Sequence, residues 1–226
     1  MILTYASLNK TLGISIDSAL LELALTHSSF AYENGKIPDN ERLEFLGDSV
    51  LGFIVTGHIY LANPSLDEGS LSRIRNAAVS AKTLAIAANN IGLGAYLSLG
   101  KGELSSGGRD KPNILADTLE ALIGAAYISS GLEAAKTIIN KFVIPLIDSA
   151  DELLETSEPR TVLQELLKAA NRGDAVFDVT HEGPDHDRTF FAAVIVDNQK
   201  IGTGAGRSRK AAEAEAAIAA LKTIRS

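Results

Sequence analysis

Residues 40–51 read NERLEFLGDSVL and residues 113–122 read NILADTLEAL, and these two stretches decide the reading of the chain. In the first, Glu41, Glu44 and Asp48 fall at spacings of three and four, so one face of a helix carries three carboxylates. In the second, Asp117 and Glu120 are three apart and likewise share a face. Solvated acids on a helix surface are common, and at these spacings they repel only mildly. The setting argues for more. Asp117 and Glu120 interrupt a helix that is otherwise apolar or small from Ile114 to Ala126, with no Lys or Arg inside it. Such a helix is buried nearly all round, and buried carboxylates must be paired or bind a metal. Carboxylates without converging Cys or His suit a hard cation, Mg²⁺ or Mn²⁺, rather than zinc.

Outward from these segments, the pattern stays helical up to residue 155. Apolar residues recur at three- and four-residue spacing in SALLELAL, RLEFLGDSVLGFIV, LSRIRNAAVSAKTLAIAA, ILADTLEALIGAAYI and EAAKTIINKFVIPLI. NNIGLG and SSGGRDKPN punctuate the runs, and Pro145 is expected to kink or end its helix. Residues 155–159, ETSEP, read as a linker. After them the period changes: a helix over 161–170, short alternating runs AVFDVT, FFAAVIV and KIGTG, and an Ala-rich helix over about 208–224. The expected fold is an all-α domain over 1–155 followed by a small α+β domain over 156–226. The latter has the order α-β-β-β-α, with helices on one face of an antiparallel sheet.

Charge follows the same division. The chain of 226 residues carries a formal charge of −7, the wrong sign for a general phosphate binder. Residues 1–155 hold 11 Lys+Arg against 18 Asp+Glu, whereas residues 156–226 hold 10 of each. Acidity serves solubility in many proteins, but an acidic domain joined to a neutral one with clustered bases also suits a metal-dependent nuclease with a separate binding module. There are no cysteines, which excludes disulfides and thiolate metal sites. MILTYASLNK lacks the pattern of a signal peptide, and no stretch reads as long and apolar enough to span a bilayer. The cytoplasm is the expected compartment, with no membrane and no organic cofactor.

NERLEFLGDSVL resembles the signature segment of ribonuclease III. ALTHSSF, DEGSLSRIR and SGGRDKPNILADTLEALIGAAY resemble the family's other segments in the family's order. The resemblance implies a Mg²⁺-dependent endonuclease of double-stranded RNA that leaves 5′-phosphate and 3′-hydroxyl ends and works in ribosomal and messenger RNA processing. By it, Glu44, Asp48, Asp117 and Glu120 match the carboxylates that bind catalytic metal. Glu41 and Glu68 match further acidic positions of the catalytic valley, although an acid in a first helical turn, as Glu68 is, is also stabilised by the dipole. The implied chemistry is in-line attack by water with no side-chain nucleophile. His27 and His58 read as ordinary polar contacts.

The resemblance also implies a homodimer in which Phe45 is an intersubunit knob. The apolar pattern alone is equally satisfied by Phe45 in its own core. Gly47, beside the Glu44 and Asp48 face, permits close approach of either a neighbouring helix or RNA.

In the second domain, RTVLQELL, GPDHDRTF and GTGAGRSRKAAEAEAA resemble a double-stranded-RNA-binding domain. Arg207, Arg209 and Lys210, with Ser208 among them, crowd a helix N-terminus, where the macrodipole disfavours cations unless an anion docks. Gln164 and Glu165, and the turn at 183–186 with Pro184 and His186, match the family's two minor-groove contacts, which read 2′-hydroxyls and shape. Thr161-x-x-Gln164 equally fits a capping box. RGDAVFDV departs from the family in lacking its Pro and Tyr, and Arg209 stands where Lys is usual. A catalytically silent RNA-binding relative is the competing reading. It would be expected to have lost one or more of the four metal-binding acids, and all four are present.

Overall fold

The computed structural model describes residues 4–147, 158–184 and 187–225. The chain divides into two compact units, Met1–Ser149 and Ala150–Ser226. The boundary expected at 155/156 and the ETSEP linker up to residue 157 lie outside the described residues.

The first unit is helical: α1 (Tyr5–Leu12), α2 (Ser18–Ala24), α3 (Ser28–Glu33), α4 (Glu41–Ala62), α5 (Glu68–Ala78), α6 (Ala81–Ile91), α7 (Lys101–Ser105), α8 (Pro112–Ser130) and α9 (Leu132–Phe142). Short 3-10 turns fall at Leu93–Tyr96, Gly108–Asp110 and Ile144–Leu146. Pro145 sits in the last of these, just past the end of α9, as the missing N–H requires. The periodic run LSRIRNAAVSAKTLAIAA is two helices rather than one. Ser80 stops the first and caps the second, its Oγ accepting from the Thr83 N–H at 3.3 Å. The core centres on α8, whose Ile114, Leu115, Ala116, Leu119 and every residue from Ala121 to Ala126 are buried.

One expectation is corrected. Helix α4, with 22 residues, is long and apolar enough to cross a membrane by length and composition. The reason is that it is apolar on two sides. Leu43, Val50, Leu51, Ile54, Val55 and Ile59 are buried within the unit, while Phe45, Phe53, Tyr60 and Leu61 are exposed.

The second unit has α10 (Pro159–Ala169), β1 (Val176–Glu182), β2 (Thr189–Val196), β3 (Gln199–Gly206) and α11 (Arg209–Arg225). The strands form an antiparallel sheet in the order β1-β2-β3, pairing Asp178 with Ala193 and Ala193 with Thr203. Alternate residues of β2, Ala192, Val194 and Val196, bury against Leu163 and Leu167 of α10 and against Ala212, Ala216, Ala217, Ala220 and Leu221 of α11. A side chain at Gly202 or Gly204 would overlap the α11 backbone, so glycine at alternate positions of β3 lets that alanine-faced helix lie close. Helix α10 starts two residues before the expected Thr161, with Pro159 in its first turn. Thr161 is therefore inside the helix, and the capping-box reading fails because the cap position belongs to Glu158.

Candidate active site

The acid-bearing helices cross at two glycines. A Cβ built on Gly47 of α4 would overlap the Glu120 carbonyl of α8, and one built on Gly124 would overlap the Leu43 carbonyl and stand 3.2 Å from the Gly47 nitrogen. Backbone thus meets backbone, and of the two partners expected for Gly47 the structure supplies the helix. This crossing turns the acid faces of α4 and α8 towards one another. Glu44, Asp117 and Glu120 each place a carboxylate oxygen within 4.8 Å of the other two. All three are half-buried, and among the described residues no Lys or Arg forms an ion pair with them or with Asp48.

Electrostatics reflect the crowding. Burial, followed by the charges of Asp48, Asp117 and Glu44, pushes the Glu120 carboxyl up to about 8. Glu44 is raised by burial first and then by Asp117, Glu41, Asp48 and Asp39. Asp117 is raised by burial, against an opposing pull from His27. Like charges held this close favour protonation of one of their number, or a cation among them.

The predicted residues are distributed as follows. Glu44, Asp117 and Glu120 come together; Asp48, exposed one turn further along α4, stands outside that triplet and acts on it through its charge. Glu41 is exposed at the start of α4 and raises Glu44 alone of the three. Glu68 is not among the charges acting on the cluster. It opens α5, accepts from Ser72 Oγ at 2.8 Å, and lines a small cavity with Thr56, Tyr60 and Arg75. Of two further neighbours, His27 is the polar contact expected of it, and Asp39 carried no signal in the sequence. His27, whose Nδ1 accepts from the Ser29 N–H at 3.2 Å in capping α3, bears on Asp117, and Asp39 bears on Glu44. Phe45 is 77% exposed and takes no part in the chain's own core.

In the second unit, Ser208 Oγ caps α11 by accepting from the Ala211 N–H at 3.1 Å. Arg207 is paired with Asp187, and Arg209 Nε donates to Glu213 Oε1 at 3.0 Å. Carboxylates of the chain itself therefore offset part of the unfavourable placement of bases at this helix start. Lys210 makes no ion pair among the described residues and lines a groove of about 670 Å³ with Arg160, Thr161, Gln164 and Phe177. The Gln164 amide donates to Asp174 and accepts from the Ala175 N–H at 3.2 Å, so it ties α10 to the segment before β1. Glu165 is exposed on α10, and Pro184 is exposed next to Gly183, whose φ is +92°. His186 lies outside the described residues.

The family model described as Ribonuclease-III-like matches residues 17–147, and the model described as Double-stranded RNA binding motif matches residues 159–224. The chain is 48% identical over 222 residues to Ribonuclease 3 of Streptomyces coelicolor, covering 98% of this chain and 80% of that protein. It is 50% identical over 216 residues to Ribonuclease 3 of Thermobifida fusca, covering 96% and 90%. Among solved structures it resembles the nuclease domain of ribonuclease III from Campylobacter jejuni, described there as structurally flexible in a region involved in dimer formation. The likeness has 39% identity and a TM-score of 0.57, covering 69% of this chain and 99% of that one.

Proposed function

The chain belongs to the ribonuclease III family, and we propose that Glu44, Asp48, Asp117 and Glu120 hold the divalent cation its reaction requires. It is an endoribonuclease specific for double-stranded RNA, with a helical nuclease domain and a double-stranded-RNA-binding domain. The observation that carries the metal reading is the triplet of carboxylate oxygens, one each from Glu44, Asp117 and Glu120, within 4.8 Å of one another, with the Glu120 carboxyl raised to about 8. A donor set made only of carboxylates on two rigid helices fits Mg²⁺, with Mn²⁺ as a substitute. When bound, such a cation supplies the Lewis acidity and the lowered water pKa that hydrolysis of a phosphodiester requires. The chain's own residues orient that chemistry: α4 contributes Glu44 and Asp48, α8 contributes Asp117 and Glu120, and Glu41 adds negative potential beside Glu44. The products are 5′-phosphate and 3′-hydroxyl ends.

The working unit is a homodimer with one cluster per subunit. Phe45, Phe53, Tyr60 and Leu61 expose apolar surface along α4 beyond what scattered surface residues present, which supports a second copy as its cover. RNA is held through Arg207, Ser208, Arg209 and Lys210 at the start of α11, with Gln164, Glu165 and the turn at Pro184 and His186 facing the minor groove. Bacterial relatives and a chain free of cysteine support a cytoplasmic location. Purified protein incubated with a long RNA duplex should cut it with Mg²⁺ and fail with a chelator. Cutting that persists in the chelator would sink the metal reading.

A further inference from the structure

Glu213 is the only charged residue that is buried among the described residues, at 6% exposure. Its two oxygens are divided between two helices. Oε2 accepts from Arg160 Nη1 at 2.6 Å, in the first turn of α10, and Oε1 accepts from Arg209 Nε at 3.0 Å, in the first turn of α11. A buried carboxylate is unfavourable without such partners, and an apolar residue of similar volume would stabilise the same packing at least as well. What the acid adds is geometry. It holds two guanidinium groups at one separation, while their side chains stay 52% and 69% exposed. Each guanidinium has five N–H donors, so most of the fork remains available after the bond to Glu213. Arg160 is held a second way, with its guanidinium 5.1 Å from the Phe177 ring centroid. Lys210 lines the groove that Arg160 and Phe177 share.

We infer that Glu213 is a positioning residue for the RNA backbone: it presents Arg160 and Arg209, one from each helix, so that with Lys210 they receive phosphates of double-stranded RNA. Arg160 is thereby a phosphate contact in addition to those at the start of α11. The inference rests on reading that helix start as the RNA-facing surface. One carboxylate shared between two arginines still leaves a net positive charge, and both arginine side chains remain more than half exposed.

The test is binding of the full chain, without divalent metal, to an RNA duplex of about 16 base pairs, the span of one such domain. Affinity is measured across a salt series for R160A, E213Q, K210A and the double variant R160A/E213Q. Charge counting alone predicts tighter binding for E213Q, because it removes a negative charge. Positioning predicts the reverse, a loss of roughly fivefold despite the added net charge, and a smaller loss when Arg160 is already absent. R160A should lower the slope of log affinity against log salt by about 0.7–0.9, the value of one phosphate contact. E213Q binding as tightly as the parent or more tightly, with the fold intact by circular dichroism, overturns the inference. If E213Q does not fold, R160A decides, since it truncates a half-exposed side chain; an unchanged slope there overturns the inference. K210A separates the two levels. A lower slope in K210A with none in R160A rejects the role of Arg160 and Glu213 alone, whereas no change in either rejects the RNA-facing surface itself.

Discussion

Gly47 and Gly124 stand against each other where α4 crosses α8, and a side chain on either would overlap the backbone of the other helix. The geometry of the proposed metal site depends on this contact, because Glu44 and Asp48 flank Gly47 while Glu120 lies one turn before Gly124. Gly124→Ala should push the helices apart, destabilising the fold by about 1–3 kcal/mol, as overpacking does. A shift of about an ångström at a catalytic centre reduces rates about a hundredfold, so cleavage should fall more than stability does. Thermal denaturation and single-turnover cleavage measured side by side check this. A stable variant with parental cleavage would show that the crossing tolerates more space than the geometry allows.

Glu120→Gln keeps the shape of the side chain and removes the charge of a proposed ligand. Cleavage should fall by about a hundredfold or more, since a metal site supplies several kcal/mol to the reaction. Affinity for uncut duplex, measured without metal, should stay close to the parent. Cleavage within a fewfold of the parent would remove Glu120 from the ligand set.

The raised Glu120 carboxyl predicts a pH dependence whose direction is fixed. Its value in the fold is about 8 against an ordinary 4.5, so the folded state binds the proton more tightly than the unfolded chain. The resulting stabilisation is fully present below 4.5 and is lost as pH rises through about 8. Glu44 and Asp117 shift in the same direction. The metal-free protein should therefore lose thermal stability across this window, and E120Q should lose less. Divalent metal displaces the proton, so Mg²⁺ should bind more tightly and restore more stability at the alkaline end. Melting curves with and without Mg²⁺ across the window test both points, and equal pH profiles for parent and E120Q would contradict them.

If Phe45 packs into a second copy, Phe45→Ala should weaken the dimer by about 3–5 kcal/mol, the usual effect of truncating a buried Phe. Because Phe45 is 77% exposed in the single chain, the same change should leave monomer stability nearly unaltered. Sedimentation at graded concentrations separates the two effects. A parent protein that sediments as a monomer at micromolar concentration removes the premise.

Much of this arrangement was legible from spacing. The apolar run around Asp117 and Glu120 announced a buried helix with carboxylates and no cation, and the structure keeps both features. What spacing does not encode is partnership across the fold. Nothing local in the sequence says that Gln164 bonds to Asp174 and Ala175, or that Arg160 reaches Glu213, 53 positions away, to join Arg209, whose four-residue spacing from Glu213 alone was legible. The break between α5 and α6 was hidden for a different reason. Ser80 sits inside an unbroken apolar period, and a cap shows only when the chain direction changes. The two-sided apolarity of α4 was missed for a third reason: the acids Glu41, Glu44 and Asp48 break the run in its first half, while Phe53, Tyr60 and Leu61 add exposed apolar surface in its second.

The division of charge carries the last prediction. Residues 1–155 hold the whole acid cluster and an excess of 7 acidic residues, 18 against 11, so their net charge has the wrong sign to attract phosphate. Residues 156–226 hold equal numbers, 10 of each sign, with Arg160, Arg209 and Lys210 gathered at two helix starts. Ending the chain after Glu155 should therefore leave a Mg²⁺-dependent nuclease with weakened hold on its substrate. Its KM should rise strongly while its kcat falls little, because the carboxylates and the Gly47–Gly124 crossing are untouched. The weak electrostatic binding that remains is screened first, since the Debye length shortens from about 30 Å at 0.01 M salt to about 10 Å at 0.1 M. Cleavage by the shortened chain should accordingly be best at low salt and collapse as salt rises, at concentrations where the full chain still works. Parallel salt profiles for the two proteins would mean that the second domain adds little phosphate affinity, and the nuclease domain would then have to hold the duplex by contacts that net charge does not reveal.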